Sequence, residues 1–321
     1  MKILLLRFSS IGDIVLTSPV VRCLKQQLEN SEIHYLTKNS FVSIVGNNSN
    51  IDKVFSFEKN VAEVLPALKK ENYDWVIDLH HNLRSMQVKR ALGKPSKSFN
   101  KLNIEKWLLV NLKINCLPKK HIVDRYFETV SHLGVKNDLK GLDFFIDAKN
   151  EVAISSLAKE YQNGFIAFVI GAKHNTKKLP DEKIISICKK LNRPVILIGG
   201  KEDFETGEKI EANVKKQEPR IINACGNYNL QQSASLIKQS EKVITHDTGM
   251  MHIAAAFKKN IISVWGSTVP ELGMYPYMPG KESKIVEVKN LSCRPCSKIG
   301  FEKCPKGHFK CMNEIDENLC L

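Results

Sequence analysis

Short apolar runs alternate with helix-length amphipathic stretches from one end of the chain to the other. KILLLRF, EIHYLT, KVFSF and DWVIDL lie in the first part; FIAFVIG, PVILIGG, RIINAC, KVITH and NIISVWG lie in the second. Each run is about 4–8 residues long and bounded by Gly, Asn, Asp or Pro, the pattern of strands buried on both faces. Segments such as SPVVRCLKQQL, DEKIISICKKL and NLQQSASLIKQS carry apolar positions at helical spacing between them. Strand and helix in alternation predict parallel sheets with helices on both faces. The pattern runs twice, with the polar stretch VKNDLKGLDFFIDAKNE between the halves. We therefore expect an α/β chain of two doubly wound Rossmann-like domains, residues 1–150 and 151–321, facing a central cleft.

The conspicuous polar motifs all follow predicted strands, where open parallel sheets collect their ligands. RFSSIGDIVLTSP follows the first run, DLHHNLRS ends another, and GAKHNTKKLP, KEDFETG, HDTGMMH and GSTVPE follow runs of the second half. In THDTGMMHIAAAF, Asp247 or Thr248 could simply cap the alanine-rich helix that begins there. The same helix start, with its unpaired N–H groups and partial positive charge, also suits a phosphate, with His252 one turn in on the mouth side. Gly171 allows a sharp turn, and Lys173, Lys177 and Lys178 put positive charge beside it. Glu202, after two glycines, can accept hydrogen bonds from ribose hydroxyls. Together these describe a nucleoside diphosphate on the second domain. No G-x-G-x-x-G or P-loop is present, which disfavours a nicotinamide enzyme.

Charge adds a possible partner. The chain carries a formal charge of +14, and residues 84–125 hold eleven Lys and Arg against Glu105 and Asp124 alone. Such a run is either a solvated face or a surface for something acidic. Its aromatics are Phe99 and Trp107 only, too few for a single-strand stacking platform. An anionic surface or glycan is the better fit. No stretch reaches the roughly 18 apolar residues of a membrane span. The opening MKILLLRF has four apolar residues before Arg7, shorter than a signal core, and reads as a strand. With nine cysteines, an odd number, a reducing, cytoplasmic setting is expected.

RFSSIGDIVLTSPVVRCLK, HDTGMMHIAAAF and WGSTVPELGMYP resemble the bacterial ADP-heptose:lipopolysaccharide heptosyltransferases, glycosyltransferase family 9, and the likeness runs through essentially the whole chain. The resemblance implies a GT-B fold and an inverting, metal-independent transfer that needs no cofactor. A heptose-like sugar would pass from a nucleotide diphosphate, ADP-heptose, to the lipopolysaccharide core. It implies Asp13 as catalytic base, Lys177 on the diphosphate, Glu202 on the ribose, and Asp247, Thr248, Gly249 and His252 as the donor-binding turn. Gly12, His80 and Arg84, with His81, would line the acceptor side. The acceptor would be a lipid-linked anionic glycan, met at the inner face of the inner membrane, and no nucleic acid is expected. GAKHNT departs from the family pattern, leaving Lys173 and His174 without an assigned contact.

CRPCSKIGFEKCPKGHFKC places Cys293, Cys296, Cys304 and Cys311 in one stretch, a spacing that suits structural zinc. Related heptosyltransferases carry similar tails, and a reduced, packed thiol loop without metal is the reading preferred. The alternative from another class is a non-catalytic nucleic-acid-binding protein with a zinc-bearing tail, motivated by the charge and the cysteines.

Overall fold

The computed structural model describes residues 1–215 and 220–321. Two compact units divide the chain: Met1–Lys101 with Lys120–Phe145, and Leu102–Lys119 with Ile146–Leu321.

The first unit is built on five parallel strands: β1 (Lys2–Leu6), β2 (Glu32–Lys38), β3 (Lys53–Phe57), β4 (Trp75–Asp78) and β5 (Ser96–Ser98), in the order β3-β2-β1-β4-β5. β1 occupies the centre because KILLL is apolar at successive positions, and Ile3 to Leu6 are wholly buried. Leu4, Leu6 and Phe8 pack with Leu36, Phe57, Val76 and Val88 on one side of the sheet. The strand order reverses between β1 and β4, so their carboxyl ends frame a crevice.

The second unit has six parallel strands: β6 (Ile166–Val169), β7 (Val195–Ile198), β8 (Ile221–Asn223), β9 (Lys242–His246), β10 (Asn260–Trp265) and β11 (Lys284–Glu287), in the order β11-β10-β9-β6-β7-β8. Here the reversal lies between β6 and β9. The cysteine-rich tail folds back onto this unit, and Cys311, Met312, Ile315 and Cys320 join the core formed by Phe168, Ile187 and Leu197.

Nine strands were expected, and the described residues form two more. β5 and β11 are short edge strands whose sequences, SKS and KIVE, lack a buried apolar run. The units part between Phe145 and Ile146, and the segment Leu102–Lys119, expected with the first half, packs in the second unit. The reason is apolar: Leu109 and Leu117 lie against Val269 and Leu272. The basic run 84–125 is therefore not one face of one domain. Lys89 is also no free surface charge, since its ammonium pairs with buried Asp78 at 3.0 Å.

Candidate active site

In the first unit, Leu6 and Asp78 are paired neighbours at the ends of β1 and β4. The chain leaving β1 turns into a short helix, Ile11–Val15, with Ser10 as its N-cap. Ser10 donates to Asp13 Oδ2 twice, from its hydroxyl at 2.7 Å and its backbone N–H at 3.2 Å. The other oxygen, Oδ1, meets the Arg7 guanidinium at 2.6 Å. Arg7 is buried and further fixed by the Ser9 carbonyl, the Leu79 carbonyl and the Tyr126 hydroxyl. Burial works against its charge, yet the neighbouring Asp13 carboxylate holds it above its ordinary pKa. The carboxylate is thus held from two sides and still keeps 20% of its side-chain surface open. Gly12 is buried in the same short helix.

At the end of β4, buried Asp78 accepts the backbone N–H groups of His80 and His81 and the Ser85 hydroxyl, and so organises the turn into the helix Leu83–Leu92. This brings His80 against the Phe8 ring, with centroids 4.7 Å apart. Burial, then the charges of Arg7 and Lys101, push the His80 imidazole down to about 4, partly offset by Asp78 and Asp13. His80 therefore stays neutral near pH 7, and its buried Nδ1 has no hydrogen-bond partner. His81 turns to the Phe99 carbonyl, and Arg84 stands exposed on the first turn of the helix. Of the residues expected on the acceptor side, Gly12 and His80 come together with Asp13. Arg7 was missed. As the last residue of an apolar run, it reads as a strand end, and only the acid six positions later hinted at a buried partner.

In the second unit, the loop after β6 and the turn after β9 flank the point of strand reversal. Gly171 is required by close approach, since a Cβ there would stand 2.3 Å from the Asp203 carboxylate. Thr176 is held through its N–H and hydroxyl by the Phe301 carbonyl of the tail and receives the Ser267 hydroxyl. The next two lysines reach to different loops. Lys177 Nζ meets Asp247 Oδ2 at 2.6 Å, and Lys178 Nζ meets Asp203 Oδ1 at 2.6 Å. Asp247 Oδ2 also accepts the Thr268 hydroxyl at 2.8 Å. Asp203 is buried and accepts the Gly200 N–H, while Glu202 beside it is exposed.

The helix Gly249–Ala256 starts after Thr248, whose side chain makes no capping bond. Capping by Thr248 therefore does not account for this turn, and the Asp247 carboxylate is engaged by Lys177 and Thr268. His252 is only 2% exposed, buried one turn into the helix instead of open on its mouth side. His246, missed as a structural element, is fully buried, and its Nε2 accepts the Leu179 N–H at 3.0 Å, which fixes the lysine loop to β9. Lys173 is exposed, and His174 faces Glu302 at 3.4 Å.

The tail cysteines are free thiols. Cys296 Sγ lies 3.1 Å from the Cys293 carbonyl, and burial pushes the Cys296 thiol up to about 11 and that of Cys311 up to about 12. Among the described residues, the His, Cys, Asp and Glu side chains whose ligand atoms converge within 4.8 Å are Glu32, His34 and Glu71, not the tail thiols. Those three are already engaged: Glu71 holds Lys2 and Lys53, and His34 bonds Glu32 and Tyr73.

A family model described as glycosyltransferase family 9 (heptosyltransferase) matches residues 61–304. The chain belongs to that family. The match spans Lys177, Glu202 and the turn at Asp247, and begins after Asp13. This family 9 glycosyltransferase is 26% identical over 293 residues to lipopolysaccharide heptosyltransferase 1 of Campylobacter coli, covering 84% of each chain. Its fold matches the family 9 glycosyl transferase of Veillonella parvula, with a TM-score of 0.76, 22% identity and coverage of 99% of this chain and 94% of that one. It likewise matches the ADP-heptose LPS heptosyltransferase II of Escherichia coli, with a TM-score of 0.71, 19% identity and 98% coverage of both chains. The two doubly wound units are those of the GT-B fold. Among the described residues, no helix is long and apolar enough to cross a membrane.

Proposed function

We propose that this family 9 glycosyltransferase moves a heptose from ADP-heptose to the core of lipopolysaccharide, with inversion and without a metal. The observation that carries the reading is the Lys177 ammonium at the head of the Gly249–Ala256 helix, beside Asp247, where strand order reverses. An ammonium and first-turn amides are fixed positive groups suited to a leaving diphosphate, the role a metal plays in other transferases. Glu202, exposed after β7, is assigned to the ribose hydroxyls. Thr248 and Gly249 give the diphosphate a close backbone approach, and buried His252 supports the helix beneath it. The names of both relatives give heptosyl transfer and lipopolysaccharide, and that of the Escherichia coli enzyme gives ADP-heptose as well.

On the acceptor side, the Asp13 carboxylate takes the proton from an acceptor hydroxyl. That oxygen attacks the anomeric carbon from the face opposite the diphosphate, the bond from that carbon to the phosphate oxygen breaks, and its electron pair leaves with ADP. Arg7 and Ser10 aim the carboxylate, and neutral His80 with Gly12 borders the acceptor. The exposed basic residues Arg84 and Arg90 face a phosphorylated or carboxylated, lipid-linked glycan at the cytoplasmic side of the inner membrane. The nucleic-acid alternative finds no support in the family or in the strand-end chemistry. Incubation with ADP-heptose and a core acceptor lacking heptose tests the reading. One heptose added with release of ADP, in the presence of chelator, is expected; hydrolysis without transfer, or use of a different nucleotide-sugar, would overturn it.

A further inference from the structure

The segment Leu102–Lys119 carries a helix, Asn103–Trp107, that runs on into the wider turn Leu108–Leu112. One side of it is anchored: Leu109 and Leu117 pack on Val269 and Leu272, and Lys113 Nζ donates to the carbonyls of Cys293 and Pro295. Four of its large apolar side chains are open. Ile104 is 74% exposed, Trp107 56%, Leu112 53% and Ile114 51%. Single exposed apolar residues are ordinary, but four large ones within a dozen positions mark a surface that meets something apolar. Lys106, Lys113 and Lys119 are interspersed among them against Glu105 alone.

An indole, aliphatic side chains and lysines together are the chemistry of the bilayer interface, where apolar groups enter the headgroup region and ammonium groups meet lipid phosphates. A second copy of this chain is the poorer occupant, since two-fold pairing of this face would set its excess lysines against each other. A single tryptophan is likewise no platform for stacked bases.

We propose that Leu102–Lys119 is a docking element for an anionic lipid surface, inserting Ile104, Trp107, Leu112 and Ile114 while exposed Lys119 at its end contacts phosphate headgroups. The element deepens the reading of a lipid-linked acceptor and rests on it. It sits on the loop after β10, where Val269 and Leu272 bear Leu109 and where Thr268 reaches Asp247. Docking therefore bears directly on the loop that supports the donor-binding turn.

Co-sedimentation of the intact chain with vesicles of phosphatidylethanolamine and phosphatidylglycerol, compared with phosphatidylcholine alone, reads docking directly. Retention on the anionic vesicles is expected, weakening with salt. A blue shift of tryptophan emission should accompany it, because Trp265 is buried and Trp75 packs on His132, leaving Trp107 to report. Ile104→Ser, Leu112→Ser and Ile114→Ser together should lower retention roughly tenfold or more. ADP affinity should be unchanged, which a misfolded variant would not show. Transfer to a soluble, deacylated acceptor should also persist while transfer to the vesicle-embedded acceptor falls. If the parent transfers to neither acceptor yet is retained on the vesicles, docking is upheld and the acceptor reading fails alone. Equal retention on both vesicle types, or retention indifferent to the triple substitution, overturns the proposal. So does a dimer of the parent that the same substitutions convert to monomer.

Discussion

Lys177 and Asp247 form an ion pair, Nζ to Oδ2 at 2.6 Å, across the point where the second sheet reverses its strand order between β6 and β9. The lysine comes from one strand end and the acid from the other, so the pair fixes where the positive charge stands before any ligand arrives.

If that ammonium receives the diphosphate, Lys177→Ala removes a charge-assisted contact worth about 1.5–3 kcal/mol, or roughly a 10- to 150-fold rise in the dissociation constant for ADP. Lys178→Ala should behave differently. Its partner Asp203 is buried, so its loss leaves an uncompensated carboxylate and lowers the melting temperature more than the ADP affinity. Calorimetric titration with ADP beside a melting curve separates the two. Equal ADP affinity in parent and Lys177→Ala would remove Lys177 from the donor site.

Acid should destabilise the chain through its buried histidines before most carboxylates are protonated. Burial chiefly pushes His246 down to about 3 and His80 down to about 4, whereas the unfolded chain binds a proton at each near about 6.5. Between those values the unfolded state carries more protons than the folded one. Stability is therefore full above about 6.5 and lost as pH falls toward the folded values, at up to about 1.4 kcal/mol per pH unit for each histidine. His246→Gln keeps an acceptor for the Leu179 N–H and removes the titration, so its stability should fall less steeply with acid. Denaturant midpoints across that window give the comparison, and parallel curves for the two proteins would refute the assignment.

The alternation of apolar runs made nine strands legible, above all the seven interior ones, because a strand buried on both faces must be apolar at successive positions. SKS and KIVE were illegible for the converse reason: an edge strand needs no such run. The placement of the candidate residues was legible where a residue type has few uses in a loop that follows a strand, as with Asp13 after Gly12 or Asp247 before Thr248-Gly249. What stayed hidden was pairing across long separations. Nothing local joins Arg7 to Tyr126, Lys178 to Asp203 or Thr176 to Phe301, and nothing local says that Leu109 will leave the first half to pack on Leu272.

The tail should hold its place by packing. Cys311 lies in the core with Met312 and Ile315, and Arg294 donates to the carbonyls of Gly266, Val288 and Thr268. We expect less than one zinc per chain, at the order-of-magnitude level of a non-stoichiometric trace, in protein purified without chelator. Cys293→Ser with Cys296→Ser should then remain folded. Stoichiometric zinc, lost together with the fold in that variant, would reverse this expectation.

Asp13 poses the sharpest choice, because its carboxylate serves both a helix cap and a proposed reaction. Asparagine can still accept from Ser10, but it cannot remove a proton, and it leaves buried Arg7 without its counter-charge. For a general base, Asp13→Asn should lower turnover by roughly 10²–10⁴ at saturating donor, with ADP affinity intact and a reduced melting temperature. Ser10→Ala supplies the contrast: it removes the hydroxyl contact to Asp13 Oδ2, yet leaves the carboxylate and its ion pair with Arg7. If Asp13 is only a cap, the two variants should lose rate in proportion to the stability each loses. If it is the base, Asp13→Asn should be nearly inactive at a temperature where both variants are folded, while Ser10→Ala remains within a few-fold of the parent. Initial rates of both, taken below the lower of the two melting temperatures, decide the matter, and comparable rates would leave Asp13 no part in proton transfer.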